Sequence, residues 1–352
     1  MKNTAAPNSG KIEFFKKKTQ TKQTKQHYYI ITSISMNQFG INLLNEIIKN
    51  QKGNVIISAY SIASALSIAA LGASGETKSE LEICKFEEIE SEDFISATAL
   101  WIKKGLKISG SSKPLESAEE INNWVSEKTK GNIKEIIKSV KPSDLMIITN
   151  AVYFLGKWLY PFDEELTKEG NFTKLSGEII SVPMMSKPKS NEQYISTKNF
   201  TGIYLPYEDF EAVILLPKNY NDMNFNPESF RRSKFKSTKM NLKMPRFKVE
   251  CEFDLVDYLK NLGIKKAFGQ FAEFTELFEK GYEQDCFISS VCHKTFLKVD
   301  ESGTEAAAAT SVVITMKSAS PVRIDFIVDR PFLFFIRHRD SGLFIFSAFI
   351  TM

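Results

Sequence analysis

The sequence predicts an α+β protein, with helices in the first third of the chain and mainly antiparallel strands after it. Two patterns predict this class. Apolar residues recur at helical spacing in four early segments, and later segments rich in β-branched and aromatic residues are separated by turn residues. The composition agrees, because 43% hydrophobic and 25% charged residues are typical of a soluble globular protein rather than a disordered or fibrous one.

Helices are predicted where the apolar spacing is helical. The early segments with this spacing are residues 36–50, 61–72, 77–84 and 117–139. Ser117 and Glu120 form a capping-box pattern, which predicts the start of the fourth helix. A later helix is predicted over residues 255–262, because Gly263 follows it as a helix-ending residue.

Strands are predicted from residue 145 onward. The segments that predict them are residues 145–158, 212–218, 239–253, 296–300 and 332–349. The last segment is predicted to be a hairpin, because Asp340, Ser341 and Gly342 separate two apolar runs.

The net charge of +4 comes from the start of the chain. Residues 1–35 contain seven lysines and one glutamate, whereas the remainder has 39 basic and 41 acidic residues. We interpret residues 1–35 as a disordered basic leader or a wrongly assigned start, because Met36 opens the first apolar pattern. Nucleic-acid binding usually requires a basic surface on the folded domain, so we expect no nucleic-acid partner.

Residues 55–74 form an uncharged run of about the 20 residues that a membrane-spanning helix needs. Ser58, Ser61, Ser64 and Ser67 recur in it at every third position. This repeat predicts a helix buried inside the protein, with its hydroxyl groups satisfied internally. We therefore expect no membrane partner.

The sequence offers little material for a metal site or a catalytic triad. The cysteines Cys84, Cys251, Cys286 and Cys292 include no CxxC pair, and the chain has three histidines. No glycine-rich phosphate-binding loop occurs. We therefore expect no metal, no cofactor and no Ser-His-Asp catalyst, and a structural role for His293.

Residues 301–320, ESGTEAAAATSVVITMKSAS, combine two conformational preferences. Four consecutive alanines favour a helix, whereas Val312, Val313 and Ile314 are β-branched and favour a strand. This divided preference suits a segment that adopts two conformations.

Six segments, in order along the chain, resemble the serpin family. They are NVIISAYSIASALSIAALGASGETKSEL (54–81), INNWVSEKTKGNIKEII (121–137), TNAVYFLGKWLYPF (149–162), MPRFKVECEFDLVDYLKNLGIKKAF (244–268), HKTFLKVDESGTEAAAAT (293–310) and DRPFLFFIRHRDSGLFIF (329–346). The resemblance covers residues 36–352 and implies a single domain of serpin fold. Such a domain has N-terminal helices around a large mixed β-sheet, smaller sheets and an exposed reactive-centre loop, here at about residues 301–321.

The resemblance implies an irreversible suicide-substrate inhibitor rather than an enzyme. A serine protease attacks the loop and forms an acyl-enzyme, and the freed loop inserts into the large sheet and traps the protease. Inhibitory loops begin with a hinge of small residues, here Gly303, Thr304, Glu305, Ala306, Ala307, Ala308, Ala309 and Thr310. Because alternate residues of a strand face opposite sides, Ala306 is expected to enter the core and Glu305 to face solvent.

The family's count from Gly303 places the reactive bond between Lys317 and Ser318. Lysine at this position suits a trypsin-like protease, whose specificity pocket holds a carboxylate. If the register is one residue shorter, Met316 takes this position and suggests a chymotrypsin- or elastase-like target.

Two supporting sites follow from the resemblance. The shutter, a hydrogen-bonded cluster under the centre of the large sheet, is matched by Ser58, Ser61, Asn150 and His293. The breach, at the top of the same sheet, is matched by Trp158, Arg246 and Glu301. An exposed ion pair between Arg246 and Glu301 is expected to hold the closed state there.

The chain departs from the family pattern in several places, including the end FIFSAFITM, which lacks the family's customary glycine and closing proline. Ala59 stands where the family usually has proline in the shutter. The stretches before residue 97 and after residue 103 are short, so the helices that are fourth and fifth in the family's own count are expected to be truncated or missing; residues 121–137 match the family's sixth helix. Because some relatives bind heparin-like polysaccharide on the fourth helix, we expect no such partner, and we expect a monomer.

Two other functions stay open at this point: a non-inhibitory serpin used for binding, storage or chaperoning, and an inhibitor of a cysteine protease. Localisation is open as well. The leader has no continuous apolar region, which favours the cytoplasm, whereas the sequons at Asn171 and Asn199 are compatible with secretion.

Overall fold

The computed structural model describes residues 22–83, 89, 91–103, 112–220, 225–277, 286–303 and 323–352, with side chains from residue 35 onward. Most of the predicted reactive loop therefore lies outside the described residues. The described part contains both of the classes of element that the sequence predicts, and the α+β class is confirmed.

The first helix is longer than the sequence predicts. The α-helices are α1 (Lys22–Asn50), α2 (Ala59–Ala70), α3 (Gly75–Leu81), α4 (Ala118–Lys128) and α5 (Val256–Asn261). Residues 22–35, which the sequence places in a disordered leader, are helical and continue into the helix predicted from Met36. This segment contains neither glycine nor proline, and its lysines and glutamines have high helix propensity.

The fourth helix is shorter than the sequence predicts. Its predicted start is confirmed, because Ser117 Oγ accepts a hydrogen bond from the Glu120 backbone N–H at 3.1 Å. The helix ends at Lys128, since Lys130 and Gly131 adopt positive φ angles of 53° and 81°. The apolar spacing continues beyond it, but Ile133, Ile136 and Ile137 are buried as irregular chain.

The strands form two mixed sheets. The strands are β1 (Val55–Ile57), β2 (Phe94–Lys103), β3 (Lys113–Leu115), β4 (Met146–Phe154), β5 (Lys168–Thr173), β6 (Ile179–Ser196), β7 (Phe200–Pro206), β8 (Phe210–Pro217), β9 (Lys236–Pro245), β10 (Phe247–Asp254), β11 (Ile288–Val299), β12 (Ile324–Ile327), β13 (Phe332–His338) and β14 (Phe344–Ile350). One sheet has the order β10-β11-β4-β2-β3. The other has the order β1-β14-β13-β8-β7-β6-β9-β12, with β5 paired to β6.

The pairing of β4 with β11 sets the geometry at the centre of the five-stranded sheet. These strands run parallel and pair directly, from Ile288 opposite Met146 to Phe296 opposite Tyr153, with a register shift before Ser290. On their outer sides, β11 pairs antiparallel with β10 and β4 pairs antiparallel with β2. No strand of the described part therefore lies between β4 and β11.

Both faces of β4 are covered. Every residue of this strand is buried. Val152 and Phe154 belong to the core shared with the nine-stranded sheet, whereas Ile147 and Ala151 belong to a smaller core under α4. Of its polar side chains, Thr149 and Asn150 have hydrogen-bond partners inside the protein, whereas the Tyr153 hydroxyl is buried without one among the described residues.

The two helices predicted to be truncated or missing would lie between α3 and β2 and between β2 and α4. Between α3 and β2, the described residues 82, 83, 89 and 91–93 are not helical. Between β2 and α4, residues 104–111 are not among the described residues.

The remaining predictions concern membrane spans, cysteines and metals. No described helix is both long and apolar enough to cross a membrane. Among the described cysteines, Cys251, Cys286 and Cys292 are buried free thiols. No group of described side chains could hold a metal ion.

Candidate functional site

The reactive bond and most of the hinge lie outside the described residues. These positions are Thr304, Glu305, Ala306, Ala307, Ala308, Ala309, Thr310, Met316, Lys317 and Ser318. The structure describes both ends of this segment, at Gly303 and Arg323. The described parts of the site are therefore the base of the loop and the strands beneath it.

The chain reverses direction directly after β11. The backbone N–H of Asp300 donates to the Gly303 carbonyl at 2.8 Å, and the Gly303 N–H donates to the Asp300 carbonyl at 3.3 Å. The Asp300 carboxylate accepts the backbone N–H and the hydroxyl of Ser302, at 3.1 and 3.0 Å. This tight turn brings Gly303 into an antiparallel bridge with Lys157, just beyond β4.

Gly303 fits this position because it has no side chain. Its φ angle is +138°, in the range that residues with a Cβ rarely adopt. A Cβ atom here would lie 2.5 Å from the Gly156 carbonyl oxygen and 2.7 Å from Lys157 Cα. Both atoms belong to the backbone, so no side-chain rotation relieves the contact.

The predicted breach residues come together around this turn. Arg246 Nη2 donates to Glu301 Oε1 at 2.6 Å, and the Thr167 hydroxyl donates to the same oxygen at 2.5 Å. The pair is not the exposed one that the sequence predicts, because the Glu301 side chain is only 4% exposed, against 43% for Arg246. Thr167 carries no signal in the sequence, since it is 134 residues from Glu301.

The electrostatic state of Glu301 follows from these contacts. Burial by itself raises the pKa of a carboxyl group, but the hydrogen bonds from Arg246 and Thr167 outweigh this effect and hold the pKa of Glu301 below its ordinary value. Glu301 is therefore a buried carboxylate. Removing Arg246 would leave this charge without its counterion, which is more costly than losing a surface pair.

Trp158 connects the turn to the nine-stranded sheet. Its indole N–H donates to the Asp300 carbonyl at 2.9 Å, and its backbone N–H donates to the Ser302 carbonyl at 3.0 Å. The indole stacks on the ring of Tyr207, with centroids 4.2 Å apart. Because it is 5% exposed, Trp158 fixes the turn from within the core.

The predicted shutter residues also come together, beneath the β4–β11 pair. His293 on β11 lies opposite Asn150 on β4. His293 Nε2 accepts the backbone N–H of Ser58 at 3.1 Å, and its Nδ1 lies 2.7 Å from Asn150 Oδ1. Asn150 Nδ2 donates to Ser61 Oγ at 2.5 Å. All four residues are fully buried.

These contacts fix the tautomer of His293. Because Nε2 accepts the Ser58 N–H, the proton of the neutral ring is on Nδ1, which donates to Asn150. Burial lowers the pKa of His293 to about 3, so the ring is neutral at pH 7. A neutral imidazole with a hydrogen bond at each nitrogen is suited to holding strands together rather than to transferring protons.

Two further residues that sequence reasoning did not predict extend the cluster. Asn150 Nδ2 also contacts Thr98 Oγ1 at 2.6 Å, and Ser61 Oγ lies 2.6 Å from Ser96 Oγ. Both added hydroxyls are on β2, so the cluster joins β2, β4 and β11 to the start of α2. Serine and threonine are common in strands, so the sequence does not single out Ser96 and Thr98, and only their positions in the folded chain show that they belong to the cluster.

Ala59, the departure from the family's proline, is the first residue of α2, directly after the N-cap Ser58. Proline is favoured at this position because the backbone N–H there has no intrahelical acceptor. Alanine also suits it, since it has the highest helix propensity. The substitution therefore leaves the start of α2 in place.

Comparison with known proteins agrees with this architecture. The chain matches the family described as Serpin (serine protease inhibitor) over residues 34–104 and 91–351. Serpin-ZXA of Oryza sativa subsp. japonica is 38% identical over 257 residues, which is 68% of this chain and 64% of the length of that relative. The leukocyte elastase inhibitor of Sus scrofa is 30% identical over 373 residues, covering 89% of this chain and 97% of that protein. The crystal structure of the thermophilic serpin Tengpin in its native state is 27% identical, with a TM-score of 0.80 and 96% coverage of both chains.

Replacing Gly303 by alanine should lower the free energy of unfolding by more than the same change at Gly177. Gly177 has a positive φ of 85°, but no atom lies within 4 Å of the position that an added Cβ would take, so Gly177→Ala carries only the backbone cost of about 1–2 kcal/mol. Gly303→Ala adds the clash with Gly156 and Lys157. Urea unfolding of both variants measures the difference, and equal losses would contradict the steric role of Gly303.

The free energy of unfolding should decrease as the pH is lowered from 6.5 towards 3, because of His293. Its folded pKa of about 3 lies below the ordinary 6.5, so between these values the unfolded chain binds a proton that the folded chain does not. The free energy of unfolding should therefore drop by about 1.4 kcal/mol per pH unit as pH falls below 6.5. The variant His293→Gln lacks this contribution, so the stability gap between the two proteins should narrow between pH 6.5 and 4. Carboxylates titrate in both proteins and cancel, and a gap that stays constant would contradict the assignment.

Proposed function

The chain belongs to the serpin family, and we propose that it is an irreversible suicide-substrate inhibitor of a trypsin-like serine protease of the chymotrypsin fold. Members of this family are generally protease inhibitors rather than enzymes, although some do not inhibit. The proposal rests on the way in which the loop base and the five-stranded sheet are arranged. This sheet, and not the nine-stranded one, holds the shutter residues Asn150 and His293 and corresponds to the sheet that the resemblance calls large.

The proposed reaction begins at the carbonyl carbon of Lys317. Attack by the serine hydroxyl of the protease forms an ester, and the amide bond between Lys317 and Ser318 breaks. Ser318 leaves as a free amine after taking a proton from the histidine of the protease. Residues 304–317 are then free at one end and enter the sheet with the protease attached. Inhibition requires this insertion to be faster than hydrolysis of the ester.

The observation that carries the proposal is the direct parallel pairing of β4 with β11. A strand that enters between them from Gly303 would be antiparallel to both. It would replace one parallel contact by two antiparallel ones, which are slightly more stable per residue. Insertion would thus lower the free energy of the sheet, and the waiting sheet can store the energy that traps a protease.

The hinge sequence supports the same function. An entering strand must pass alternate side chains between β4 and β11 into a packed core. The leading members of this set, Thr304, Ala306, Ala308 and Thr310, are small and uncharged. Charged or bulky hinges are instead expected in a non-inhibitory serpin.

The breach and shutter residues are proposed to act as two gates. The buried Glu301 carboxylate, held by Arg246 and Thr167, keeps the turn closed until the loop is cut. The His293–Asn150 hydrogen bond spans the β4–β11 gap and must break as a strand passes. Because the Glu301 carboxylate and the His293 ring are both buried and hydrogen-bonded, each gate should open only when insertion replaces the lost contacts.

Mixing the protein with trypsin should give a covalent complex that survives boiling in detergent. Lys317→Ala should abolish this complex, because the protease's specificity pocket then lacks its cation. Electrophoresis of the boiled mixture measures the complex. If Met316 is the acylated residue, Lys317→Ala keeps a complex with a chymotrypsin-like protease.

A matched pair of hinge variants tests insertion itself. Ala306→Glu, which adds no trypsin cleavage site, should turn the protein into a substrate that trypsin cleaves without trapping, because a buried unpaired charge is strongly unfavourable. Ala307→Glu, on the solvent face, should still form the complex. Cleavage of the unaltered protein without any complex would sink the proposal. A panel of thiol proteases then tests the alternative of a cysteine protease target.

Cleavage of the loop should raise the melting temperature sharply if the loop inserts. The added strand replaces the single parallel row of backbone hydrogen bonds between β4 and β11 by two antiparallel rows. Thermal unfolding of intact and loop-cleaved protein, with a protease that cuts without forming a complex, measures this shift. An unchanged melting temperature would favour the non-inhibitory alternative, in which the loop is an inert tether.

A further inference from the structure

Lys187 lies on the long strand β6, opposite Leu242 of β9 and directly before an irregularity in the pairing. Its side chain is partly buried rather than solvated. Two residues later, Lys189 has a positive φ of 58° and an exposed side chain. The two lysines therefore share one strand but not one environment.

The ammonium group of Lys187 contacts the loop that follows β4. Lys187 Nζ donates to the Tyr160 backbone carbonyl at 2.6 Å and lies 4.6 Å from the centroid of the Phe162 ring. Burial lowers the pKa of Lys187, while the charge of Glu192 opposes this effect. Both contacts favour the cation, since a carbonyl and an aromatic face are attractive to positive charge.

The same loop also holds the base of the reactive segment. The Phe162 backbone N–H donates to the Glu301 carbonyl at 2.8 Å, and the Trp158 N–H donates to the Ser302 carbonyl at 3.0 Å. Lys157, one residue earlier, forms the antiparallel bridge with Gly303. The loop of residues 157–163 thus contacts both Lys187 and the 300–303 turn.

We propose that Lys187 is a positioning residue for loop insertion, which holds the 157–163 loop so that Gly303 and Lys157 form the first rung of the entering strand. The inference rests on the proposed function, since it concerns how insertion starts. The bridge between Gly303 and Lys157 is already antiparallel, as the entering strand would be to β4.

A preformed first rung speeds insertion for a physical reason. Starting an ordered segment fixes several backbone dihedrals for one hydrogen bond, whereas each later residue adds contacts to an existing register. Lys187 removes part of this initial cost by keeping the 157–163 loop in place. Without it, the loop would fluctuate and the acyl-enzyme would have more time to hydrolyse.

The variant Lys187→Met tests the role, because it keeps the length of the side chain and removes the charge. Lys187→Arg restores a cation that can reach the Tyr160 carbonyl, and Lys189→Met removes a neighbouring exposed charge as the matched control. Hydrogen exchange of the Trp158 and Phe162 amides in full-length protein reports on the loop. The number of inhibitor molecules consumed per trypsin molecule trapped reports on insertion.

Loss of one charge-assisted hydrogen bond should speed exchange of both amides about tenfold in Lys187→Met. The control is the amide of Thr351, which donates to Asn54 Oδ1 near the C-terminus of the chain. Its exchange rate should be the same in the variant and in the unaltered protein. More inhibitor should be consumed per trypsin trapped, and Lys187→Arg should restore both readouts. Lys189→Met should match the unaltered protein.

Two results would overturn the proposal. One is unchanged exchange at Trp158 and Phe162 in Lys187→Met. The other is faster exchange with an unchanged or lower consumption of inhibitor, which would show that Lys187 only stabilises the loop. If the unaltered protein traps no protease at all, the proposed function fails, while the exchange measurement still decides whether Lys187 holds the 157–163 loop.

Discussion

The direct parallel contact between β4 and β11 is the constraint from which the geometry of the site follows. Two neighbouring strands that run parallel, each flanked on its other side by an antiparallel strand, leave a place where a further strand could enter antiparallel to both of them. The turn after β11 ends at that place, with Gly303 against Lys157. A loop that begins at Gly303 already lies at the end of the β4–β11 pair. To enter between these strands, it would need only a free far end and separation of the two strands.

Hydrogen-bonded buried groups lie at the centre and at the top of this strand pair. His293 accepts from the start of α2 and donates to Asn150 across the strand pair, while Glu301 accepts from Arg246 and Thr167. An unpaired buried polar group costs more than a paired one contributes, so such clusters define one arrangement sharply. Separating the strands is therefore opposed at two points, the centre and the top of the sheet.

The two points differ in how they respond to conditions. His293 is neutral and fully buried, so acid weakens it by protonating the unfolded chain first. Glu301 is a carboxylate whose pKa is held below its ordinary value, so it stays charged to a lower pH than an ordinary glutamate does. In a mildly acidic medium the His293 ring therefore stays neutral in the folded chain, and acid lowers the free energy of unfolding through protonation of the unfolded chain.

Features that depend on neighbours along the chain could be predicted from the sequence. The α+β class, the cap at Ser117 and the divided preference of residues 301–320 follow from local patterns, and the resemblance supplied the candidate residues. Other features became visible only in the folded chain: Thr167 and Thr98 complete the two clusters, Glu301 is buried, and β4 meets β11 without a described strand between them. These are contacts between residues far apart in sequence, and burial and hydrogen-bond partners are set by what the fold brings alongside.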